Sequence, residues 1–210
     1  MERPILYVLA GANGAGKSSV GGHLLEQAGS TWFNPDVFAR ELFAEIGCDQ
    51  TEANALAWQE GVRRLDEALA QGHSYAFETT LGGRTIPAKI EQASRTHDVL
   101  MWFCGLSSPE LHIARVKARV AAGGHDIPEA KIRERYTPAL ENLIKLMQHL
   151  SHLQVYDNSA QAAPGKPIAD PLLILEMRLG KLLWPTGIKS LRQTPEWAKP
   201  LLEAALSSRA

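Results

Sequence analysis

Short apolar runs alternate along the chain with longer polar stretches whose hydrophobic residues recur at helical spacing. The first run, Ile5 to Ala10, has the length and continuous apolarity of a strand buried on both faces. Ser18 to Gln27 reads as a helix, and Thr31-Trp32-Phe33-Asn34 as a second strand ended by Pro35. Asp36 to Ile46 and Thr51 to Gln71 predict helices, the latter with Leu56, Val62, Leu65 and Leu69 on its apolar stripe. Ser74 to Phe77 predicts a third strand that delivers Glu78-Thr79-Thr80 at its carboxyl end. A helix over Pro87–Arg95 precedes the strongest remaining strand, Asp98 to Leu106. Pro109 to Val120 predicts a helix stopped by Gly123-Gly124, and Pro128 reopens one to His149, bent at Pro138. Leu153 to Tyr156 is the fifth strand, with Asp157-Asn158-Ser159 at its end.

Strands alternating with helices imply right-handed crossovers and a parallel sheet covered on both faces. The tail departs from that rhythm. Ala160 to Pro171 reads as a loop, Leu172–Arg178 and Lys181–Trp184 as a hairpin across Leu179-Gly180, and Thr194 to Leu206 as a short helix interrupted at Pro200. The division expected is a core over residues 1–160, with a lid around 115–135, and an appendage over 161–210 that caps one sheet edge.

Composition narrows the class. With 210 residues the chain can bury one core without disulfides or structural metal. A net charge of −1 gives no general attraction to a polyanion and argues against a nucleic-acid partner. Cys48 and Cys104 lie in separate apolar stretches and predict unpaired buried thiols, which suit a reducing cytosol. The first strand begins by residue 5, leaving no room for a signal peptide, and no apolar run reaches the length of a membrane span. A cytoplasmic protein with no membrane partner is expected.

The segment Gly11-Ala12-Asn13-Gly14-Ala15-Gly16-Lys17-Ser18 is a complete G-x-x-x-x-G-K-[ST] run between a strand and a helix. Backbone N–H groups of such a turn, with the positive end of the next helix, cradle a nucleotide's phosphates. Gly11, Ala12, Asn13, Gly14, Ala15, Gly16, Lys17, Ser18 and Ser19 are the expected ATP-binding residues. Lys17 would reach the β/γ oxygens, and the Ser18 hydroxyl would ligate Mg²⁺.

Ligands of open parallel sheets bind beyond the carboxyl ends of the strands, where Asp36 and Glu78 also fall. Asp36 suits a base that accepts a hydroxyl proton, or a group that orients Mg²⁺-bound water, and it equally suits a helix N-cap. Glu78 closes an apolar strand, and Thr79, Thr80 and the Gly82-Gly83-Arg84 turn could hold an acceptor. Arg115, Lys117 and Arg119, then Lys131, Arg133 and Arg135, flank a Gly-rich turn as a phosphate-closing lid would. A solvated, salt-bridged helical face with Glu110, Asp126, Glu129 and Glu134 is the competing explanation. His149 and His152 have no third ligand for zinc, His125 is a turn residue that could reach phosphate, and Trp184 and Trp197 read as packing residues. The absence of L-S-G-G-Q and N-K-x-D stretches disfavours a transporter ATPase and a switch GTPase.

Taken together, Gly11–Ser18, Asn34-Pro35-Asp36, Phe77-Glu78-Thr79-Thr80, Arg115–Val120 with Gly123–Pro128, and Arg135-Tyr136-Thr137-Pro138 with Asn142-Leu143 resemble the zeta-toxin-like P-loop kinases, particularly their stand-alone bacterial members. The resemblance spans roughly residues 4–160. It implies ATP-dependent phosphorylation, in the founding toxins of a 3′-hydroxyl on UDP-N-acetylglucosamine, and a protein antitoxin as partner. By position it makes Asp36 the base, Glu78 an acceptor-binding acid, and Arg119 with Arg135 the γ-phosphate contacts, with Arg115 competing for the place of Arg119. Thr79 stands where the toxins have Gly, and the Gly-Gly-His lid differs from theirs; both differences bear on the acceptor.

The expected fold is therefore an α/β P-loop NTPase three-layer sandwich, with five parallel strands ordered 2-3-1-4-5 plus a C-terminal β-hairpin and helix. The expected function is an ATP- and Mg²⁺-dependent kinase of a small-molecule hydroxyl acceptor. The alternatives are a nucleic-acid 5′-end kinase and an ATP-binding regulatory module with slow hydrolysis.

Overall fold

The apolar run Ile5–Ala10 forms β1 near the middle of the sheet in the computed structural model, which describes residues 2–17, 21, 32–47, 49–124, 126–161 and 170–207. Its sheet partners are β2 (Tyr75–Thr79) and β3 (Asp98–Gly105), followed outward by β4 (His152–Asp157), β5 (Leu172–Arg178) and β6 (Lys181–Trp184). The order is β2-β1-β3-β4-β5-β6, parallel from β2 to β4 and antiparallel from β4 to β6. The expectation of five parallel strands is thereby corrected to a six-stranded mixed sheet. Two local causes account for the difference. Pro35 starts a helix directly after Asn34, and the described residues of the segment expected as the second strand make a single parallel bridge, Phe33 to Phe77. The tail hairpin does not cap the sheet edge; it continues the sheet. Leu179 (φ +48) and Gly180 (φ +72) put both central turn residues in the left-handed region, as a two-residue hairpin turn requires.

Helices run over α1 (Pro35–Ile46), α2 (Gln50–Gln71), α3 (Thr85–Ala93), α4 (Pro109–Ala121), α5 (Glu129–Leu146), α6 (Gly187–Arg192) and α7 (Lys199–Ser207). Local chemistry sets their ends. Asp49 Oδ1 accepts from the Glu52 N–H at the start of α2, which ends at Gly72 with φ +67. Ser108 Oγ caps α4 through the Leu111 N–H. Pro138 lies within α5 without ending it, and Pro200 falls in the first turn of α7, where a missing N–H costs no helix bond. The helix expected over Ser18–Gln27, together with Thr31, Cys48, His125 and most of the 160–171 loop, lies outside the described residues.

Alternate residues of β1, β3 and β4 (Leu6, Val8; Val99, Met101, Phe103; Leu153, Val155) belong to one buried cluster with Ile90 of α3, Leu143 of α5, and Leu201 and Ala205 of α7. Helices α4 and α5 share a smaller core of Ile113, Val116, Ile127 and Ile132. Arg133–Glu110 and Lys117–Glu129 ion pairs tie the same two helices together. Among the described residues no helix is long and apolar enough to cross a membrane.

The C-terminal segment is anchored through Trp197, which is 8% exposed and donates from its indole nitrogen to Asp157 Oδ1 at 3.2 Å. Its ring lies so close over Gly105 that a Cβ there would sit 2.2 Å from Cη2. Trp184, by contrast, is 38% exposed. Truncating a buried tryptophan removes its apolar burial and leaves a cavity, so Trp197→Ala should cost about 3–5 kcal/mol in urea unfolding. A loss below about 1 kcal/mol would show that the segment does not stabilise the core.

Candidate functional site

Parallel register brings the carboxyl ends of four strands to one edge: Ala10 pairs with Thr79 and Phe103, and Gly105 with Asp157. The segments leaving these strands meet there, as expected for an open α/β sheet. Gly11 turns the chain out of β1 at φ +138, its N–H donating to the Thr79 carbonyl at 3.2 Å. A Cβ at this position would lie 2.2 Å from the Cys104 carbonyl oxygen, so glycine alone lets the loop cross β3. Beneath it, burial pushes the Cys104 thiol up to about 12, which leaves it unreactive at neutral pH. Gly16, at φ +81, is equally constrained: a Cβ would meet Asn158 Nδ2 at 2.4 Å. That nitrogen donates to the Ala15 carbonyl at 2.9 Å, so the residue following β4 braces the loop from the side.

Asn13 at the loop's tip is polar yet 3% exposed. Its backbone carbonyl faces His112 Nδ1 of α4 at 2.7 Å, and its Oδ1 accepts from Arg135 of α5 at 3.0 Å. Arg115 of α4 donates to the carbonyls of Asn158 (2.6 Å) and Ala160 (3.0 Å). Helices α4 and α5 therefore hold the loop by direct hydrogen bonds.

Lys17 is 6% exposed and pairs with Glu78 Oε1 at 3.3 Å, where β2 ends. Glu78 Oε2 accepts from Asn34 Nδ2 at 2.9 Å. Asn34 Oδ1 in turn accepts from the N–H groups of Asp36 (2.9 Å) and Val37 (3.2 Å), which makes Asn34 the N-cap of α1. Capping thus falls to Asn34, leaving the half-buried Asp36 carboxylate with no hydrogen bond from any described residue. A cleft of about 350 Å³ joins these groups, with Lys17, Asp36, Arg40, Glu78, Arg115 and Arg119 among its lining residues.

The expected site residues divide by position. Asn13, Gly14, Gly16, Lys17, Asp36, Glu78 and Arg119 line the cleft. Gly11, Ala12 and Ala15 form the buried back of the loop, whereas Ser18 and Ser19 lie outside the described residues. Thr79, Thr80, Arg84 and Arg135 are not among the cleft-lining residues. Thr79 Oγ1 accepts from the Leu81 N–H at 3.1 Å, and Arg84 is exposed just before α3. Sequence reasoning missed Asn34, Arg40, His112 and Asn158. The one available signal was position: Asn34 and Asn158 follow the strand-like segments that reach the cleft edge. No group of three or more His, Cys, Asp or Glu residues able to hold a metal ion occurs among the described residues. The cradle and Lys17 fit a nucleotide's phosphates, and the motif's hydroxyl, Ser18, remains the candidate metal ligand.

His112 is 1% exposed, and burial pushes its imidazole down from 6.5 to about 4. Because the Asn13 carbonyl can only accept, Nδ1 carries the proton of the neutral ring and donates it. Between pH 6.5 and 4 the unfolded chain binds a proton that the folded chain refuses, so this group's stabilising contribution is complete above 6.5 and falls as the pH drops. Urea midpoints at pH 7.5 and pH 5.0 should show the wild type losing about 2 kcal/mol more than His112→Asn. Equal losses would mean that His112 is charged in the folded protein.

The family model described as AAA domain matches residues 6–137. An uncharacterized protein of Haemophilus influenzae is 28% identical over 136 residues, 64% of this chain and 93% of that protein. Among solved structures, a candidate kinase from Chloroflexus aurantiacus has a TM-score of 0.52 at 18% identity, covering 64% of this chain and 79% of that chain. The AvrRxo1-ORF1:AvrRxo1-ORF2 complex gives 0.62 at 15% identity over 97% of this chain, which spans 64% of its counterpart. The PezAT toxin–antitoxin system of Streptococcus pneumoniae gives 0.54 at 19% identity, over 75% of this chain and 68% of that chain. At these identities the likeness is one of fold, a kinase-like P-loop α/β fold. The resemblance to zeta-toxin-like P-loop kinases seen in the sequence thus extends to the architecture.

Proposed function

From the premise that the chain belongs to the AAA domain family, whose model spans residues 6–137, we propose that it is an ATP-dependent phosphotransferase acting on a hydroxyl of a small-molecule acceptor. The observation that carries this reading is the shared cleft of Lys17 and Asp36, in which the Asp36 carboxylate has no partner among the described residues. Transfer to a hydroxyl needs a base to take the acceptor's proton, and the Asp36 carboxylate, uncommitted to any described residue, meets that need; the same group would orient water in a hydrolase, and the labelling experiment below separates the two.

In the proposed reaction a bond forms between the acceptor oxygen and the γ-phosphorus, and the bond from that phosphorus to the bridging oxygen breaks. ADP departs with the electron pair, and the acceptor's proton passes to Asp36. Lys17 exchanges Glu78 for the β/γ oxygens, while Arg119 and Arg115, both lining the cleft, balance charge on the transferring group. Arg135 acts through Asn13 and keeps the loop in position. Ser18 would hold Mg²⁺, as the resemblance implies, and the metal would supply charge neutralisation to the nucleotide. Glu78, anchored by Asn34, would then hold hydroxyl groups of the acceptor. A nucleotide sugar such as UDP-N-acetylglucosamine is the acceptor suggested by the resemblance, and a protein antitoxin covering the cleft the suggested partner. A cytoplasmic site of action follows from those substrates.

Incubation with γ-³²P-labelled ATP and a metabolite extract tests the reading. The wild type should label an organic product, and Asp36→Asn should slow that transfer about 10²–10⁴-fold while retaining ATP affinity. Label found in inorganic phosphate alone would replace the kinase with an ATP-binding module of slow hydrolysis. Full transfer by Asp36→Asn would remove Asp36 from the role of base.

A further inference from the structure

Helix α1 presents Asp36, Val37 and Arg40 to the cleft. Residues four apart on a helix are surface neighbours, with Cβ atoms about 5–6 Å apart. An Asp and an Arg at this spacing are within reach of each other, yet no ion pair within 4.0 Å joins Asp36 and Arg40. Other cations of the cleft are engaged: Lys17 with Glu78, and Arg115 with two carbonyls. Arg40 is exposed to the cleft and makes no hydrogen bond or ion pair with any described residue. On α2, which packs against α1, the acid Glu60 is already bound by Arg63 and Arg64. A planar guanidinium in this position matches a phosphate or carboxylate through paired N–H donors.

We propose that Arg40 recognises an anionic group of the acceptor, one helical turn from the hydroxyl whose proton Asp36 takes. The substrate class is thereby narrowed to hydroxyl compounds that carry a phosphate or carboxylate beside the reacting hydroxyl. Neutral polyols and free sugars lack the group that Arg40 binds. This inference rests on the phosphotransferase reading above. It assigns the outer part of the cleft, beyond the phosphate loop, to acceptor selection.

Two measurements test it. In the first, a metabolite extract is split on an anion exchanger, and each fraction is incubated with γ-³²P-labelled ATP and wild type, Arg40→Gln or Arg40→Lys. Label should enter a product of the retained fraction, fall about tenfold to hundredfold in Arg40→Gln through a raised KM, and recover in part in Arg40→Lys. Prior treatment of that fraction with phosphatase and pyrophosphatase separates a phosphate (label lost) from a carboxylate (label kept). Label from the neutral fraction, or equal transfer by Arg40→Gln, overturns the proposal. So does a fall in ATP affinity in Arg40→Gln, which would assign Arg40 to the donor. No label from either fraction with the wild type is instead a failure of the phosphotransferase reading. The second measurement does not depend on transfer: calorimetric titration of pyrophosphate into protein already saturated with a non-hydrolysable ATP analogue. Binding to the wild type that weakens at least about tenfold in Arg40→Gln supports the assignment. Equal binding, or none to the wild type, overturns it.

Discussion

The buried pair of Lys17 and Glu78 is the interaction on which the rest of the site depends. Both side chains are below 10% exposed, so neither charge is stabilised by water, and each needs the other. Lys17 leaves the loop after β1, whereas Glu78 closes β2, so the pair joins the tips of two adjacent strands. Through its second oxygen Glu78 also holds Asn34, which caps the helix bearing Asp36 and Arg40. One carboxylate thereby connects the phosphate loop, the sheet and the helix proposed to meet the acceptor. The same carboxylate occupies Lys17 where phosphate oxygens would otherwise do so.

Around that pair, buried polar groups determine the loop's shape. Asn13, His112 and Arg135 form one chain of hydrogen bonds, and Asn158 with Arg115 forms another beside Gly16. Both chains originate in elements remote in sequence, α4, α5 and the segment after β4. These bonds fix the loop backbone in place, so that exchange of Glu78 for phosphate would need only the Lys17 side chain to change partner. Helices α4 and α5, with a small core of their own, serve as structural braces for the loop.

Much of this was legible in the sequence because it is written locally. The glycine spacing of residues 11–16, the apolar strands ending at Ala10 and Gly105, and the hairpin about Leu179-Gly180 each follow from neighbours only a few residues apart. What escaped depends on partners far away. Phe33 has the residue type of a strand, but whether it pairs once or four times depends on where Pro35 begins α1. Asn34 and Asp36 are equally good capping residues, and the choice between them is settled by Pro35 taking the first helical position. Arg135 carries the same charge as Arg119; only the fold shows that one grips Asn13 while the other lines the cleft. His112 gave no signal at all, since a histidine inside a helix acquires its role from a carbonyl 99 residues away.

If Glu78 stands in for phosphate at Lys17, removing its charge should cost the ligand-free protein stability and favour nucleotide. The direct measurement is the melting temperature and the ATP dissociation constant of wild type and Glu78→Gln, both taken with EDTA present so that metal ligation plays no part. A lower melting temperature without ligand, together with ATP binding tighter by about threefold to thirtyfold, is the expected result, because an unpaired buried ammonium is left for the phosphates to satisfy. Unchanged or weaker ATP binding, whatever the melting temperature, would contradict the idea that Glu78 and phosphate compete for Lys17.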